Sequence, residues 1–457
     1  MEIIRKDVIV IGLGAFGSAA LWRLARRGAD VAGIERHGIG HHLGSSHGLT
    51  RLFRVACQEH PGLAPIALKS LELWTGLGEE TGERLVTQSG CLSVGSPDSG
   101  PVRGAITAAA AAGVPVTKLS HEELTARQPQ YAGLALADVG VWDPGAGICY
   151  PERNVRAHTA AAQRLGADVY PHTMVSAIDP GPDGVTVRTP TVELWASQVV
   201  VAAGAWLGTL VPGLPLAPRR TPQYWFRPSE PRSGEFTLDR FPAFIWDRPD
   251  GASLWGHGSA EDYGIKIGPE PLKPDRGGID PEEMDRYIHL DTDVDEVAAQ
   301  VAQALPGLEP RPEKVIPCLL TDSPDGQFLA GRLPSQPRVV VAGGDSGHGF
   351  KHAAGIGELL AQIVADEPLY CAADFVDPAR FGEAALLPSA FAGPARFSEP
   401  ALPSSAGIAV PRTGGNARKH YVARSASNHS RIGWCPGRPA RAGQLCPAGR
   451  WGCCSAP

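Results

Sequence analysis

The sequence predicts an α/β protein with two domains, one built on a parallel sheet and the other on a mixed, largely antiparallel sheet. Three stretches of the 457-residue chain lead to this prediction. Residues 7–35 run from a strand through a glycine turn into a helix and a second strand. Residues 196–206 form another buried strand that meets a tight glycine turn. Residues 216–270 alternate aromatic and polar side chains, which is typical of an antiparallel sheet with one buried face.

The first stretch has the spacing of a dinucleotide-binding turn. A buried-strand run, residues 8–11, leads into three glycines in G-x-G-x-x-G order, and the helix that follows ends at Gly28. The three glycines are Gly12, Gly14 and Gly17. In such turns the first two let the backbone approach a pyrophosphate, and the third lets the helix pack on the strand. The alternative is a glycine-rich turn in another kind of α/β unit.

An acidic residue closes this stretch. The strand over residues 29–34 ends in Glu35, whose carboxylate can accept hydrogen bonds from ribose hydroxyls and would repel an added 2′-phosphate. The helix N-terminus offers free N–H groups and a partial positive charge to phosphate. Together these features predict a dinucleotide site, although they do not distinguish FAD from NAD.

Composition and charge argue against several classes of function. The formal net charge of −6 is unlike that of a general nucleic-acid or anionic-membrane binder. No apolar run approaches the roughly 20 residues that a membrane-spanning helix needs. Residues 1–11 read as a strand with early charges and not as a signal peptide. The nine cysteines show no paired framework in the main body, so we expect a cytoplasmic protein.

Apolar spacing and turn residues place the remaining elements. Helices are predicted over residues 64–87, 102–112, 153–166, 294–304 and 353–366. Strands are predicted over residues 91–94, 139–143, 168–170, 315–320, 328–330 and 339–342, and a hairpin over residues 172–178 and 184–188.

The last part of the chain has a different character. Residues 386–457 are rich in Ala, Pro, Gly, Ser and Arg, and four cysteines stand near the end: Cys435, Cys446, Cys453 and Cys454. Because no pattern there could bury a core, a disordered tail is predicted. It is a functional tail, a zinc site, or a tail without function that arose from a reading-frame error. We favour the last and expect no metal, since no C-x-x-C pair is present.

Four motifs in the body of the chain carry a resemblance to a known family. They are GSSHGLTRLFR at residues 44–54, AGAW at 203–206, PCLLTDSPD at 317–325 and SGHGFK at 346–351. In this order the motifs resemble those of the monomeric sarcosine oxidase and N-methyltryptophan oxidase family, FAD enzymes of the glycine/D-amino-acid oxidase superfamily. The resemblance covers residues 5–385 and none of the tail.

The resemblance implies both an organisation and an activity. It implies a Rossmann-like FAD-binding domain built from residues 1–90, 145–215 and 315–385, and a substrate domain built from residues 91–144 and 216–314. It implies a monomer that oxidises a secondary amine, often an N-methyl amino acid, to an imine. Electrons then pass from the reduced flavin to dioxygen and give hydrogen peroxide.

Several residues receive roles by the same resemblance. Cys318 would carry the flavin through a thioether to the 8α-methyl group; otherwise it is a small buried core residue. Arg54 and Lys351 would hold the substrate carboxylate, and arginine suits this because its planar fork pairs with carboxylate in a bidentate way; otherwise they are two surface charges. Lys266 would help to activate dioxygen; otherwise it is a strand lysine with its head in solvent.

Three residues of the first motif, His47, Thr50 and Arg51, would surround the flavin, with Arg51 offsetting negative charge on the reduced ring. His47 is alternatively a loop residue bonded to backbone. By spacing and by resemblance, the candidate cofactor residues are Gly12, Gly14, Ala15, Phe16, Gly17, Glu35, Arg36, Ser45, Ser46, Arg51, Val175, Ala203, Gly204, Trp206, Cys318, Gly344, Gly347, His348, Gly349, Phe350 and Lys351.

The chain departs from the family pattern at two places. Glu270 stands four residues after Lys266, where family members usually have a histidine, and residues 254–258 read LWGHG where a Tyr-Tyr-Gly-Phe-Pro-like element is usual. Both positions are expected beside the substrate side chain, so the particular amine stays open. The alternatives are an oxidase or dehydrogenase for a larger cyclic imino acid, and a flavin-binding protein of low activity.

Overall fold

The computed structural model describes residues 3–261, 263–270 and 278–382, which form three β-sheets and eight α-helices. The strands are β1 (Ile3–Ile11), β2 (Val31–Ile34), β3 (Arg51–Phe53), β4 (Val86–Thr87), β5 (Cys91–Gly95), β6 (Thr117–Leu119), β7 (Val139–Asp143), β8 (Gly147–Cys149), β9 (Asp168–Tyr170), β10 (Ala177–Pro180), β11 (Val185–Arg188), β12 (Glu193–Val201), β13 (Ala217–Phe226), β14 (Ala243–Asp247), β15 (Ser253–His257), β16 (Ile265–Glu270), β17 (Lys314–Asp322), β18 (Leu329–Leu333) and β19 (Gln336–Gly343). The helices are α1 (Ala15–Arg26), α2 (Leu63–Thr81), α3 (Gly100–Ala112), α4 (His121–Arg127), α5 (Pro151–Arg164), α6 (Leu207–Leu210), α7 (Asp295–Ala304) and α8 (Ala353–Val364).

The first sheet has the parallel centre that the glycine turn predicts. Its strand order is β10-β11-β12-β1-β2-β9, with β19 pairing to the second half of β12 and β18 pairing to β19. Strands β1, β2, β9, β12 and β19 run parallel. Helices α1, α5 and α8 pack together on one face, where residues such as Leu21 and Leu360 are fully buried. The carboxyl ends of β1, β2, β12 and β19 therefore meet at one edge, which is where such sheets bind ligands.

The second sheet confirms the largely antiparallel arrangement predicted from residues 216–270. Its order is β17-β13-β16-β15-β14-β5-β7-β6, and only the β14–β5 pair is parallel. Aromatic side chains fill the face that packs on α7, among them Phe226, Phe244 and Trp246. Strand β17, which carries Cys318, pairs with β13 in this sheet. The small third sheet has the order β3-β8-β4.

The structure corrects two element boundaries. The helix predicted over residues 64–87 ends at Thr81, because Gly82 takes a left-handed conformation with φ of +73° and closes the helix. The first hairpin strand, predicted over 172–178, begins only at Ala177, and the preceding residues 173–175 line a cleft instead. The hairpin itself is confirmed by the antiparallel pairing of β10 with β11.

Some expectations concern parts that the structure does not describe. Residues 386–457, the proposed tail, lie outside the described residues, and so does the side chain of Glu270 at the end of β16. Within the described residues no helix is both long enough and apolar enough to cross a membrane. The division into an FAD domain and a substrate domain stays a prediction.

Candidate active site

The turn after β1 is too tight for any residue but glycine at two positions. Gly12 has φ of +85°, and a Cβ there would lie 2.7 Å from the Ala202 carbonyl oxygen. A Cβ on Gly17 would lie 1.8 Å from the Gly12 carbonyl oxygen. Gly12 thus lets β1 lie close to the end of β12, and Gly17 lets α1 pack directly on the turn.

A cleft opens at this edge of the first sheet. Thirteen of the sequence-predicted cofactor residues line it: Gly12, Gly14, Ala15, Phe16, Glu35, Arg36, Ser45, Ser46, Val175, Ala203, Gly204, Trp206 and Gly344. Gly17 supports the turn from behind and is not part of the lining. Residues separated by up to 332 positions, from Gly12 to Gly344, therefore share one cavity.

Glu35 occupies the end of β2 as the sequence indicates. Its Oε2 accepts a hydrogen bond from the Leu13 N–H at 2.8 Å, its Oε1 accepts one from the His37 N–H at 2.8 Å, and it is 4% exposed. Burial acts to raise the pKa of this carboxyl group, but the His41 imidazole and the two backbone N–H groups outweigh it and lower the pKa. The carboxylate is therefore ionised and held in the cleft wall.

Two further contacts define the ends of the cleft. The Ser46 hydroxyl accepts a hydrogen bond from the Ala15 N–H at 2.9 Å, at the N-terminus of α1. Elsewhere in the lining the Trp206 indole N–H donates to Glu282 at 2.7 Å, and Arg36 also pairs with Glu282. A segment of the chain after β16 therefore reaches the cofactor cleft.

These residues fit FAD on the features of the cavity itself. The turn offers backbone without side chains at Gly12 and Gly14, and the start of α1 supplies N–H groups and a partial positive charge for a pyrophosphate. Glu35 supplies a carboxylate at the place where a ribose is bound in such folds.

The first motif forms a loop that leads from the cleft to the second sheet. Arg51 donates to the Ser45 carbonyl and to the Gln223 side chain, both at 2.9 Å, and its Nη2 lies 3.8 Å from the Cys318 sulfur. Burial raises the pKa of the Cys318 thiol, while Arg51 and Lys266 oppose this. Cys318 is 1% exposed and contacts the Gly44 and Ser45 carbonyls, which belong to the loop that lines the cleft.

Arg54 and Lys351 meet on a shared acid, which excludes the alternative of two surface charges. Arg54 Nη2 donates to Glu59 Oε1 at 2.7 Å, and Lys351 Nζ donates to the same oxygen at 3.2 Å and to the His348 carbonyl at 2.9 Å. Arg54 is 5% and Lys351 4% exposed. Within the described residues, Arg54 Nε and Nη1 and Glu59 Oε2 have no hydrogen-bond partner.

Glu59 is therefore a functional candidate that the sequence reasoning missed. Burial acts to raise the pKa of its carboxyl group, but Arg54 and Lys351 hold that pKa well below the ordinary value. Two buried cations thus face one carboxylate, and one of them, Arg54, keeps N–H donors without a partner among the described residues. Such an arrangement has the charge and the donors to bind an anionic ligand. The feature of the sequence that could have identified Glu59 is its place, an acidic residue five positions after Arg54 in the same loop.

Lys266 is not a strand lysine with its head in solvent. It is completely buried, and its ammonium donates to the Gly48 carbonyl at 2.9 Å and to the Thr50 carbonyl at 2.8 Å. Burial, together with the charge of Arg51, lowers the pKa of Lys266 well below its ordinary value. Strand β16 therefore places a cation beneath the loop that carries Thr50 and Arg51.

The other loop residues lie nearby, also buried. His47 is 1% exposed, its Nε2 has no partner among the described residues, and burial and Arg51 hold its pKa well below the ordinary value. Thr50 is completely buried, and its hydroxyl bonds to His257 Nε2 at 2.7 Å. The first motif thus keeps a neutral imidazole and a hydroxyl beside Arg51.

The glycine-rich motif after β19 runs from the cleft to Lys351. Gly347 has φ of +84°, and His348 Nε2 hydrogen-bonds to the Gly326 carbonyl at 2.8 Å. The His348 ring packs against the Phe328 ring, and the two ring centroids are 4.8 Å apart. Burial lowers the pKa of His348 to about 4. Phe350 packs on Trp74 in the core. Gly347, His348, Gly349, Phe350 and Lys351 do not belong to the cleft lining, and neither do Arg51 and Cys318.

The altered segment 254–258 is mostly buried. Leu254 is buried in the aromatic core of the second sheet, and His257 is completely buried beneath the first-motif loop. Trp255 is partly exposed and covers Gly268. The change from the family pattern at His257 therefore adds a hydrogen bond to the first-motif loop, through the Thr50 hydroxyl.

Comparison with known proteins agrees with this geometry. The family model described as FAD dependent oxidoreductase matches residues 7–363. The chain belongs to this family. It is thus a flavoprotein oxidoreductase, and FAD is its dinucleotide, which resolves the choice that the glycine turn left open.

In sequence the chain is similar to a sarcosine oxidase and to an N-methyl-L-tryptophan oxidase. It is 34% identical to a monomeric sarcosine oxidase of Streptomyces avermitilis, over 83% of this chain and 98% of that protein. It is 30% identical to an N-methyl-L-tryptophan oxidase of Citrobacter koseri, over 79% of this chain and 94% of that protein. The predicted relationship to the sarcosine oxidase and N-methyltryptophan oxidase family is confirmed.

The fold is shared with solved flavoenzyme structures. The structure of NikD, an unusual amino acid oxidase essential for nikkomycin biosynthesis, superposes with a TM-score of 0.69 at 23% identity, covering 82% of this chain and 98% of that one. At this identity the likeness concerns the fold, and it supports the arrangement of a Rossmann-like sheet beside a mixed sheet.

Proposed function

We propose that the protein is an FAD-dependent oxidase of a secondary or N-methylated amino acid, which it converts to an imine with release of hydrogen peroxide. The observation that carries the proposal is the buried pair of Arg54 and Lys351. Both cations converge on Glu59, and Arg54 keeps two donor nitrogens, Nε and Nη1, without partners among the described residues. A substrate carboxylate is the ligand that this pair suits.

The two cations would bind and orient the substrate. Arg54 follows the loop whose Ser45 and Ser46 line the cofactor cleft, and Lys351 follows the loop whose Gly344 lines it. A carboxylate held between them would therefore place the substrate amine toward the cleft. Orientation of this kind contributes to catalysis by lowering the entropy lost on reaction. When bound, FAD supplies the redox chemistry, accepting a hydride equivalent from the C–N centre and returning the electrons to dioxygen.

Lys266 would serve the oxygen half of the reaction. Its ammonium is fixed by two carbonyl oxygens beside Arg51 and is shielded completely from solvent. A fixed cation in a site that excludes water stabilises negative charge more strongly than it would in water. Lys266 is thus the residue that we assign to the charge which develops as dioxygen takes up electrons.

Anaerobic mixing tests the proposed function. The flavin-loaded protein would be mixed without oxygen with sarcosine, N-methyltryptophan and cyclic imino acids, and the loss of flavin absorbance would be followed. We expect at least one of these to bleach the flavin, and air to restore the colour with formation of peroxide. Bleaching without peroxide on aeration would indicate a dehydrogenase. Failure of every secondary amino acid to bleach the flavin would contradict the proposal.

We further propose that the flavin is attached covalently through Cys318. The sulfur contacts the carbonyl groups of the cleft loop, and the Arg51 guanidinium lies 3.8 Å from it, where its charge opposes the rise in the pKa of the Cys318 thiol that burial causes. Gln223, which sequence reasoning also missed, accepts a hydrogen bond from Arg51 and so helps to keep it at the sulfur.

Cys318→Ser is expected to release the flavin on acid precipitation, whereas wild-type protein keeps the yellow colour in the pellet. The serine hydroxyl is not acidic enough to form the bond at neutral pH. Cys149→Ser is the matched control, because Cys149 is also buried next to the same loop and bonds to the Arg51 carbonyl. A colourless wild-type pellet from fully loaded protein would show that the flavin is not covalent.

We also propose a cytoplasmic monomer. The five cysteines among the described residues, Cys57, Cys91, Cys149, Cys318 and Cys371, are free thiols, which suits a reducing compartment. The Streptomyces avermitilis relative is named a monomeric enzyme.

A further inference from the structure

His257 stands where the family pattern has an aromatic residue, and the structure gives it a polar environment. It is completely buried, yet both ring nitrogens are hydrogen-bonded: Nδ1 lies 2.6 Å from the Gly258 carbonyl oxygen and Nε2 lies 2.7 Å from the Thr50 hydroxyl. A buried histidine with two short hydrogen bonds has one orientation and one tautomer.

The partners determine that tautomer. The Gly258 carbonyl can only accept, so Nδ1 carries the hydrogen. Burial lowers the pKa of His257 to about 4, with Lys266 contributing, so the ring is neutral near pH 7 and Nε2 is an acceptor. The Thr50 hydroxyl must therefore donate to His257, and its own oxygen lone pairs face elsewhere.

Thr50 is also part of the site that holds Lys266. The Thr50 carbonyl accepts from Lys266 Nζ at 2.8 Å and from Arg51 Nη1 at 2.9 Å. The loop reaches this position through left-handed backbone at Gly48 and Leu49, with φ of +100° and +67°. The Glu152 carboxylate accepts hydrogen bonds from both N–H groups, at 2.8 Å and 3.2 Å.

Three side chains thus hold this strained loop. Glu152 binds its N–H groups from α5, Lys266 binds its carbonyls from β16, and His257 binds the Thr50 hydroxyl from β15. His257 and Lys266 are directly opposite each other in the β15–β16 pair, so both reach the loop from the same face. A left-handed non-glycine residue such as Leu49 persists only when its surroundings hold it.

We propose that His257 is a positioning residue for Lys266, acting through Thr50. By accepting the Thr50 hydroxyl hydrogen, it keeps the Thr50 carbonyl where the Lys266 ammonium binds it, and so keeps the cation in place for the reaction with dioxygen. The inference rests on the proposed role of Lys266 and extends it to a residue that acts through the first-motif loop.

The test uses substitutions that separate the two hydrogen bonds of His257. Asparagine can replace Nδ1 as a donor to Gly258 but does not reach Thr50, whereas glutamine can place an acceptor near the Nε2 position. Phenylalanine removes both bonds and keeps an aromatic ring, although a larger one. The flavin-loaded proteins would be reduced with dithionite and mixed with aerated buffer, so the measurement needs no amine substrate.

We expect His257→Phe and His257→Asn to slow reoxidation by about 2- to 10-fold, the worth of one neutral hydrogen bond. His257→Gln should stay within about twofold of wild type. Thr50→Val should slow reoxidation to a similar degree. The double variant, Thr50→Val with His257→Phe, should reoxidise no more slowly than the slower of the two single variants, because each substitution removes the same Thr50–His257 hydrogen bond.

Amide hydrogen exchange over residues 47–52 gives a readout independent of turnover. Exchange should rise in His257→Phe and His257→Asn and return toward wild type in His257→Gln. Reoxidation at the wild-type rate in His257→Phe would overturn the proposal. So would equal slowing in the asparagine and glutamine variants, since that would indicate a general packing defect. If no amine reduced the wild-type flavin, the proposed function would fail while this test still gave its answer.

Discussion

Lys266→Met is expected to slow reoxidation of the reduced flavin by dioxygen by about 100- to 1000-fold, the usual effect of losing one fixed electrostatic group. Reduction by substrate without oxygen should change by only a few-fold. The reason is that the Lys266 ammonium is held by the Gly48 and Thr50 carbonyls under the first-motif loop, separate from the Arg54–Lys351 pair. Stopped-flow measurement of the two half-reactions checks the split.

A second lysine provides a matched control. Lys314 also lies 5.0 Å from the Trp225 ring, as Lys266 does, but it is exposed. Lys314→Met should leave both half-reactions unchanged. Slowed reduction with normal reoxidation in Lys266→Met would reverse the roles that we assign.

The same lysine predicts a pH dependence. Because burial and Arg51 lower the pKa of Lys266, it should lose its proton at a pH below the ordinary lysine value of 10.5. The wild-type reoxidation rate should therefore fall as the pH rises through that lowered pKa, and Lys266→Met should lack this step. An unchanged step in the variant would assign it to another group.

Arg54→Ala is expected to weaken anaerobic reduction by about 10- to 150-fold in apparent affinity or rate. A hydrogen bond to a charged group contributes about 1.5–3 kcal/mol, and each 1.4 kcal/mol corresponds to about tenfold. Lys351→Ala should act in the same direction with a smaller effect, because lysine lacks the bidentate fork. Dioxygen reactivity of the reduced protein should be unaffected. The measurement is flavin bleaching against substrate concentration.

Glu59 complicates this experiment and also supplies its control. Removing Arg54 leaves the largely buried Glu59 carboxylate with Lys351 as its one remaining ion-pair partner among the described residues. This partly uncompensated buried charge destabilises the folded protein. Glu59→Gln in the same protein should restore the melting temperature without restoring reduction. Arg311→Ala, which removes an exposed arginine paired with Asp295, should affect neither. Recovery of reduction in the double variant would mean that the single variant had failed through misfolding.

The features that sequence could predict are those set by local geometry. Gly12 and Gly17 are dictated by close backbone contacts within one turn, so their spacing alone located the cleft. The antiparallel strands over residues 216–270 were likewise predicted from the alternation of aromatic and polar residues, although residues 223–226 of β13 and 243–246 of β14 are buried without alternation. The end of α2 was missed because Gly82 was read as part of a longer apolar pattern, although glycine closes helices.

The features that sequence missed depend on contacts between distant residues. Glu59 gains its importance only because Lys351, 292 positions away, reaches the same oxygen as Arg54. Gln223 belongs to an unremarkable strand, and only the fold brings its amide to Arg51. The hydrogen bond between His257 and Thr50 joins residues 207 positions apart, so it too is set by the fold. Motif resemblance identifies residues within a loop, and the acids and amides that hold the loop come from elsewhere.

The most direct test of the account compares a substrate acid with its amide. The N-methyl amino acid that bleaches the flavin best and its uncharged carboxamide would be mixed anaerobically with wild-type protein and with Arg54→Ala. The account predicts that the wild type prefers the acid by about tenfold or more and that Arg54→Ala loses most of this preference, since the variant lacks the fork that binds carboxylate. Equal reduction by acid and amide in the wild type, or an undiminished preference in Arg54→Ala, would contradict the claim that Arg54 and Lys351 hold the substrate carboxylate.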